Sequence, residues 1–159
     1  MIKITPLTDK NLSHFNNMFT DYYSELNCDE DVCHLLDEYV IPDIKAGLIF
    51  ADLLEADGVF AGFVIYQRDD IDNEWCPMEG WGDIREIYVS PEHRKKGFGK
   101  CLLLAAEKKL CELGAEKAYV LPAQNTENFF TSCGYKKANL YNEELDCFVY
   151  EKTSLKNIE

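Results

Sequence analysis

One short stretch constrains this chain more than any other. Ile84-Arg-Glu-Ile-Tyr-Val89 reads as a strand, Ser90-Pro-Glu-His93 as a break, and Arg94-Lys-Lys-Gly97-Phe-Gly99 as a turn that runs straight into an apolar-periodic segment. Leu102, Leu103, Ala106, Leu110 and Leu113 recur there at helical spacing, so Gly97 to Leu113 is expected to be a helix ended by Gly114. A strand, a glycine-spaced turn and a helix in that order leave the first amides of the helix without intrahelical partners and aim them at one point. Such a point attracts an anion. Gly97 and Gly99 let the backbone approach a ligand closely, and Arg94, Lys95, Lys96 and Lys100 add positive charge. The spacing matches neither the dinucleotide fingerprint nor a Walker lysine loop. By itself the segment reads equally as an anion site or as a basic loop.

The flanking chain reads as one α/β domain. Residues 2–6 alternate as an edge strand. Amphipathic helices are expected over 9–26, capped by Thr8 or Asp9, and over 30–46, with Pro42 kinking or ending the second and Gly47 terminating it. Leu48–Glu55 and Val59–Gln67 form a hairpin across Ala56-Asp57-Gly58. After the long helix come a short strand to Leu121 stopped by Pro122, a short helix over 127–132, strands over 135–140 and 145–151, and a frayed tail over 153–159. The strand-helix-strand unit over 84–121 fits a right-handed parallel crossover.

The 159 residues carry a formal net charge of −13, which argues against a nucleic-acid partner. Residues 1–80 hold 17 acidic and 4 basic side chains, and 81–159 hold 12 of each. The division suits an anionic ligand on the second half and a cationic one on the first; an acidic surface that serves only solubility explains it equally. No stretch approaches a membrane span, and the N-terminus has no signal-peptide core, so a cytoplasmic protein is expected. Seven cysteines at irregular spacing fit free thiols. Cys28, Cys33 and His34 are the nearest thing to a metal set, but no CxxC pair supports one, and no metal is expected.

From Ile84 to Gly134 the sequence resembles the GNAT superfamily of acyl-CoA-dependent N-acetyltransferases. The likeness lies in the apolar-aromatic-Val strand end, the four-residue spacer, Arg94-x-x-Gly97-x-Gly99, the Lys-Cys-Leu-Leu-Leu that continues the helix, and Asn125…Phe129-Phe130-x-x-x-Gly134-Tyr135. It implies a GNAT fold: a mixed sheet of about six to seven strands, splayed at its central strands and flanked by about four helices. Residues 1–80 would form the acceptor-side half and 81–152 the acyl-CoA half of a single domain spanning 1–159. Acetyl-CoA would be the co-substrate. Backbone groups of Ile87, Tyr88 and Val89 would hold its pantetheine arm, and amides from Lys95 through Lys96, Gly97, Phe98 and Gly99 to Lys100 its pyrophosphate. Arg94 would orient the loop, and Asn125, Phe129 and Phe130 would line the far side of the groove.

The reaction implied is direct attack of an amine on the thioester, which needs a base. Glu86 and Asp83 are the candidate carboxylates, with Glu86 preferred as nearer the thioester; it reads almost as well as a strand residue paired to Arg85. Where relatives carry a Tyr, this chain has Phe130, which has no proton to give, and neither Tyr135, Tyr141 nor Cys133 is assigned as an acid. In the family the acceptor site is built from the first two helices and the loop between the third and fourth strands. Here those hold Glu25, Asp29, Glu30, Asp31, Asp69, Asp70, Asp72 and Glu74 beside Tyr22, Tyr23, Trp75 and Trp81. A small or peptide-borne cationic amine is the expected acceptor: a polyamine, an aminoglycoside-like sugar or a lysine side chain. A CoA-binding sensor or scaffold without turnover is the alternative. The resemblance allows a homodimer, and no residue pattern demands one.

Overall fold

A computed structural model describes residues 1–72 and 76–156. Seven strands form one mixed sheet: β1 (Ile2–Pro6), β2 (Phe50–Ala56), β3 (Val59–Arg68), β4 (Gly82–Val89), β5 (Ala118–Val120), β6 (Lys136–Asn142) and β7 (Cys147–Lys152), in the spatial order β1-β2-β3-β4-β5-β7-β6. β1 pairs antiparallel with β2, β4 parallel with β5, and β7 antiparallel with both β5 and β6. The helices are α1 (Leu12–Glu25), α2 (Val32–Leu35), α3 (Ile41–Lys45), α4 (Phe98–Glu112) and α5 (Glu127–Ser132). Asp57 and Gly58, at φ 51° and 82°, make the two-residue turn of the β2–β3 hairpin.

Three local expectations are corrected. The cap of α1 is Asn11 rather than Thr8 or Asp9. Its Oδ1 accepts from the Thr8 amide and its Nδ2 donates to the Pro6 carbonyl, so it braces the incoming chain. The second helix is not one α-helix: a π turn over Leu36–Val40 joins α2 to α3. The wider turn delivers Pro42 to the start of α3, where its missing N–H breaks no helical bond. The tail is ordered through its middle, because Leu155 is buried and its amide donates to the Glu116 carbonyl. Residues 157–159, and Glu74 and Trp75 of the acidic loop, lie outside the described residues.

The chain forms two compact units, Met1–Ile65 with Glu86–Leu103, and Tyr66–Arg85 with Leu104–Glu159. In the first, Phe15, Met18 and Phe19 of α1 pack with Leu36, Val40, Ala51, Leu53, Phe63 and Tyr88. The 3.6-residue spacing of the α1 set is what turns it to one side. In the second, α4 contributes Ala106 and Leu110, β5 Ala118 to Val120, and α5 and β7 Phe130 and Val149. That core also encloses a charge. Glu107 is fully buried, accepts from the Tyr135 hydroxyl at 2.9 Å, and pairs with Lys152 at 3.1 Å; Lys152 further donates to the Cys133 carbonyl.

Removing the cation leaves a buried carboxylate unpaired. Lys152→Met is expected to cost about 3–5 kcal/mol of unfolding free energy in urea titrations. Glu107→Leu combined with Lys152→Met is expected to recover much of that loss.

Candidate active site

β4 and β5 are registered over three pairs only, Gly82↔Ala118 to Ile84↔Val120, and β5 stops at Val120 just before Leu121-Pro122. The strand β4 continues for five residues past that register. Its hydrogen-bond direction also reverses along the way. The Gly82 amide donates to Lys117 on the β5 side, whereas the Ser90 amide donates to Ala61 on the β3 side. Residues of equal parity face the same way in a regular strand, so β4 carries an irregularity between them.

The close approach around Gly62 agrees. A Cβ there would lie 2.4 Å from the Tyr88 carbonyl oxygen and 3.2 Å from the Val89 Cα, so only glycine lets β4 pass. With Tyr88 turned toward Gly62, alternation directs the backbone groups of Ile87 and Val89 to the opposite edge.

The turn beyond β4 is built from both backbone and side chain. Pro91–His93 form a 3₁₀ turn, Lys95 takes φ 62° and Gly97 takes φ 82°. Positive φ at a lysine is strained, a feature found at ligand sites. No atom lies within 4 Å of where a Gly97 Cβ would sit, so it is backbone conformation that reserves this position for glycine. Gly99 lies in the first turn of α4, so its contribution is a missing side chain rather than an unusual φ. The first helical bond is donated by Cys101 to the Gly97 carbonyl, so the amides of Phe98, Gly99 and Lys100 precede the ladder. Lys95, Lys96 and Lys100 are exposed.

Arg94 is exposed as well, but its guanidinium is engaged within the chain. Its Nε donates to the Val89 carbonyl at 2.8 Å, its Nη2 pairs with Glu25 at 2.6 Å, and its guanidinium carbon lies 5.7 Å from the Tyr88 ring centre.

Glu86 faces the last turn of α1. The Tyr22 hydroxyl donates to its Oε2 and the Tyr23 hydroxyl to its Oε1, the latter at 3.2 Å. Burial, then the Glu86 carboxylate, pushes both phenols well above their ordinary range, so they stay protonated donors. Tyr88 packs beside them, 5.7 Å from the Tyr22 ring, and donates to Glu25 at 3.3 Å. Its hydroxyl is pushed up to about 12, by burial first and then by Glu25 and Asp21, against the pull of Arg94. No local pattern links Tyr22 and Tyr23 to a residue more than 60 positions away. The pair of adjacent tyrosines in an amphipathic helix was the one available signal.

The other candidates belong to the second unit. Asp83 is 4% exposed and sits in a buried polar network with Asp69 and Tyr119. Burial, then the Asp83 and Asp69 carboxylates, holds the Tyr119 hydroxyl well above its ordinary range. Asp69 was expected in the acceptor loop. Instead it is fully buried, accepting from Tyr119, Gln67 and the Met78 amide, so it anchors the β3–β4 connection. Asn125 is exposed at φ 68° and Phe129 is half-buried. Phe130 is buried with its ring 5.8 Å from Tyr135, whose hydroxyl is committed to Glu107.

The chain is similar to solved acetyltransferases over nearly its whole length. A PaiA N-acetyltransferase from Thermoplasma acidophilum, in complex with coenzyme A, shares 20% identity with a TM-score of 0.71, covering 96% of this chain and 99% of that one. A predicted acetyltransferase from Clostridium acetobutylicum, with acetyl-CoA, shares 14% with a TM-score of 0.75 over 90% and 95%. N-acetylglutamate synthase from Neisseria gonorrhoeae, with coenzyme A and N-acetyl-glutamate, shares 18% with a TM-score of 0.71; 96% of this chain matches 35% of that one. No curated protein sequence matches. Residues 13–135 match the acetyltransferase (GNAT) family model, a span that includes α1, β4 and the basic turn. The chain belongs to the GNAT family of acetyltransferases.

Proposed function

We propose that the protein transfers an acetyl group from acetyl-CoA to a primary amine that binds as a cation beside Glu86. The observation that carries this reading is the Glu86 carboxylate, held by two tyrosine hydroxyls on the strand whose far half lies beyond the β5 register. The unpaired first amides of α4, the φ of Gly97 and the three exposed lysines suit a pyrophosphate. The outward backbone groups of Ile87 and the Val89 amide suit an extended arm lying along β4.

Acetyl-CoA supplies an activated thioester carbonyl. Glu86 attracts the ammonium form of the acceptor through charge, beside the Tyr22 and Tyr23 rings. It then takes the proton, directly or through water, and frees the nitrogen lone pair. The nitrogen forms the amide bond, the carbon–sulfur bond breaks, and the thiolate takes its proton from water, since Phe130 has none to give. The Val89 amide is the donor proposed to polarise the carbonyl oxygen. Asp83, enclosed in its own network, is the weaker candidate for the base.

The acceptor is read as small or peptide-borne and cationic, such as a polyamine, an aminoglycoside-like sugar or a lysine side chain. Glu25 and Asp31 are already bonded within the chain, so Asp29 and Glu30, both exposed, carry the remaining charge of the α1–α2 loop. A second reading, CoA binding without turnover, is favoured by Phe130, whose apolar ring occupies the place of the family's tyrosine.

Thiol release from acetyl-CoA across a panel of amines separates the two readings: turnover with polyamines or lysine peptides supports transfer, and CoA binding without release supports the second. Acetylation of anionic amino acids in preference to cationic amines would contradict the acceptor reading. Glu86→Gln is expected to lower kcat/KM by about 10²–10⁴-fold at neutral pH and to recover as rising pH deprotonates the free amine. Activity unchanged at neutral pH would remove Glu86 from the chemistry. Gly97→Pro, which forces φ from 82° to about −65°, is expected to weaken coenzyme A binding at least about tenfold in calorimetry with little change in thermal midpoint.

A further inference from the structure

The last turn of α1 serves more than Glu86. Two residues after Tyr23, Glu25 uses its two oxygens separately: Oε1 accepts from the Tyr88 hydroxyl and Oε2 from Arg94 Nη2. Arg94 in turn reaches back to the Val89 carbonyl, the last of β4. A carboxylate on a helix, a strand end and the first residue of the basic turn are thus tied into one three-point clamp, although Glu25 and Arg94 stand 69 positions apart.

The consequence for Arg94 is specific. Its charge is paired with Glu25 and its planar head lies over the Tyr88 ring, so its hydrogen-bonding edge is already used although the side chain is partly exposed. It is therefore poorly placed as a phosphate ligand. The phosphate contacts fall instead to the turn's backbone amides and to Lys95, Lys96 and Lys100. What Arg94 contributes is the path of the chain from Val89 into the strained Lys95 and Gly97 conformations. A backbone anion site loses affinity when its amides diverge, so whatever holds Arg94 also holds the site.

We infer that Glu25 is a positioning residue for acetyl-CoA, acting through Arg94 to set the geometry of the pyrophosphate turn. The inference rests on the reading of residues 94–100 as the pyrophosphate site. It has a sign that simple electrostatics lacks. A carboxylate close to a polyanion site should repel the ligand, so removing its charge should tighten binding. If Glu25 works by holding Arg94, removing its charge loosens the turn and weakens binding.

Calorimetric titration of coenzyme A into the full-length protein, Glu25→Gln, Arg94→Gln and the double variant decides between these. Both single sites are partly exposed, so the variants are expected to fold. Glu25→Gln is expected to weaken binding about 2- to 5-fold, the range of a well-formed exposed ion pair. The KM for acetyl-CoA should rise by a similar factor, more than kcat falls. In the Arg94→Gln background, Glu25→Gln should add nothing, because the two act as one unit. Binding that is unchanged or tighter in Glu25→Gln overturns the inference and leaves the cofactor site standing. An equal loss with and without Arg94 also overturns it, by showing that Glu25 does not act through the arginine. Failure of the unaltered protein to bind coenzyme A would overturn the cofactor site and the inference together.

Discussion

The candidate site depends on how β4 is paired. Its first residues are bound to β5 in parallel, and its last five run on past the end of that strand. A backbone that leaves a ladder must satisfy its amides and carbonyls elsewhere. Here the Val89 carbonyl is met by Arg94, the Tyr88 carbonyl lies over Gly62, and the Ser90 amide is met by Ala61. The Ile87 backbone groups and the Val89 amide alternate to the other side, where the proposed extended ligand would add. Gly62 is a small residue with a large effect, because any side chain there would collide with β4.

The same segment places charge. α1 brings Tyr22, Tyr23 and Glu25 within one turn, so a single helix end contacts the proposed base and the arginine of the basic turn. Part of the acidity in residues 1–80 is occupied within the chain. Asp69 is buried as an anchor, Asp31 caps α2, and Glu25 is paired. The net charge of the first half overstates its capacity to bind a cation. Among the described residues of that half, Asp29, Glu30, Asp70 and Asp72 stay exposed, and Glu86 of the second half meets the Tyr22 and Tyr23 hydroxyls.

Much of the fold was legible in the sequence because its signals are local. The Asp57-Gly58 turn, the apolar stripe of α4 and the stop at Gly134 all act within a few residues, and the strand-turn-helix over 84–113 carries its own chemistry. Pro42 was legible as a disturbance but not as a π turn, since widening a helix by one residue leaves its hydrophobic pattern nearly unchanged. The tail was misread because Leu155 makes its contact with Glu116, a residue no local pattern connects to it. Of the candidate site, the basic turn could be picked out by its spacing and Glu86 by its strand position, both as proposals. The Tyr22 and Tyr23 contacts, the pairing of Arg94 with Glu25 and the enclosure of Asp83 depend on residues far apart in the chain, which periodicity cannot pair.

In the proposed complex the open edge of β4 and the amides opening α4 together receive acetyl-CoA. Hydrogen–deuterium exchange with and without coenzyme A tests it at the level of individual amides. Protection is predicted at Ile87 and Val89 and over Lys95 to Lys100, with no change at Ser90, whose amide is already bonded to Ala61. Protection confined to other segments, or none over 87–100 at saturating coenzyme A, would contradict the account.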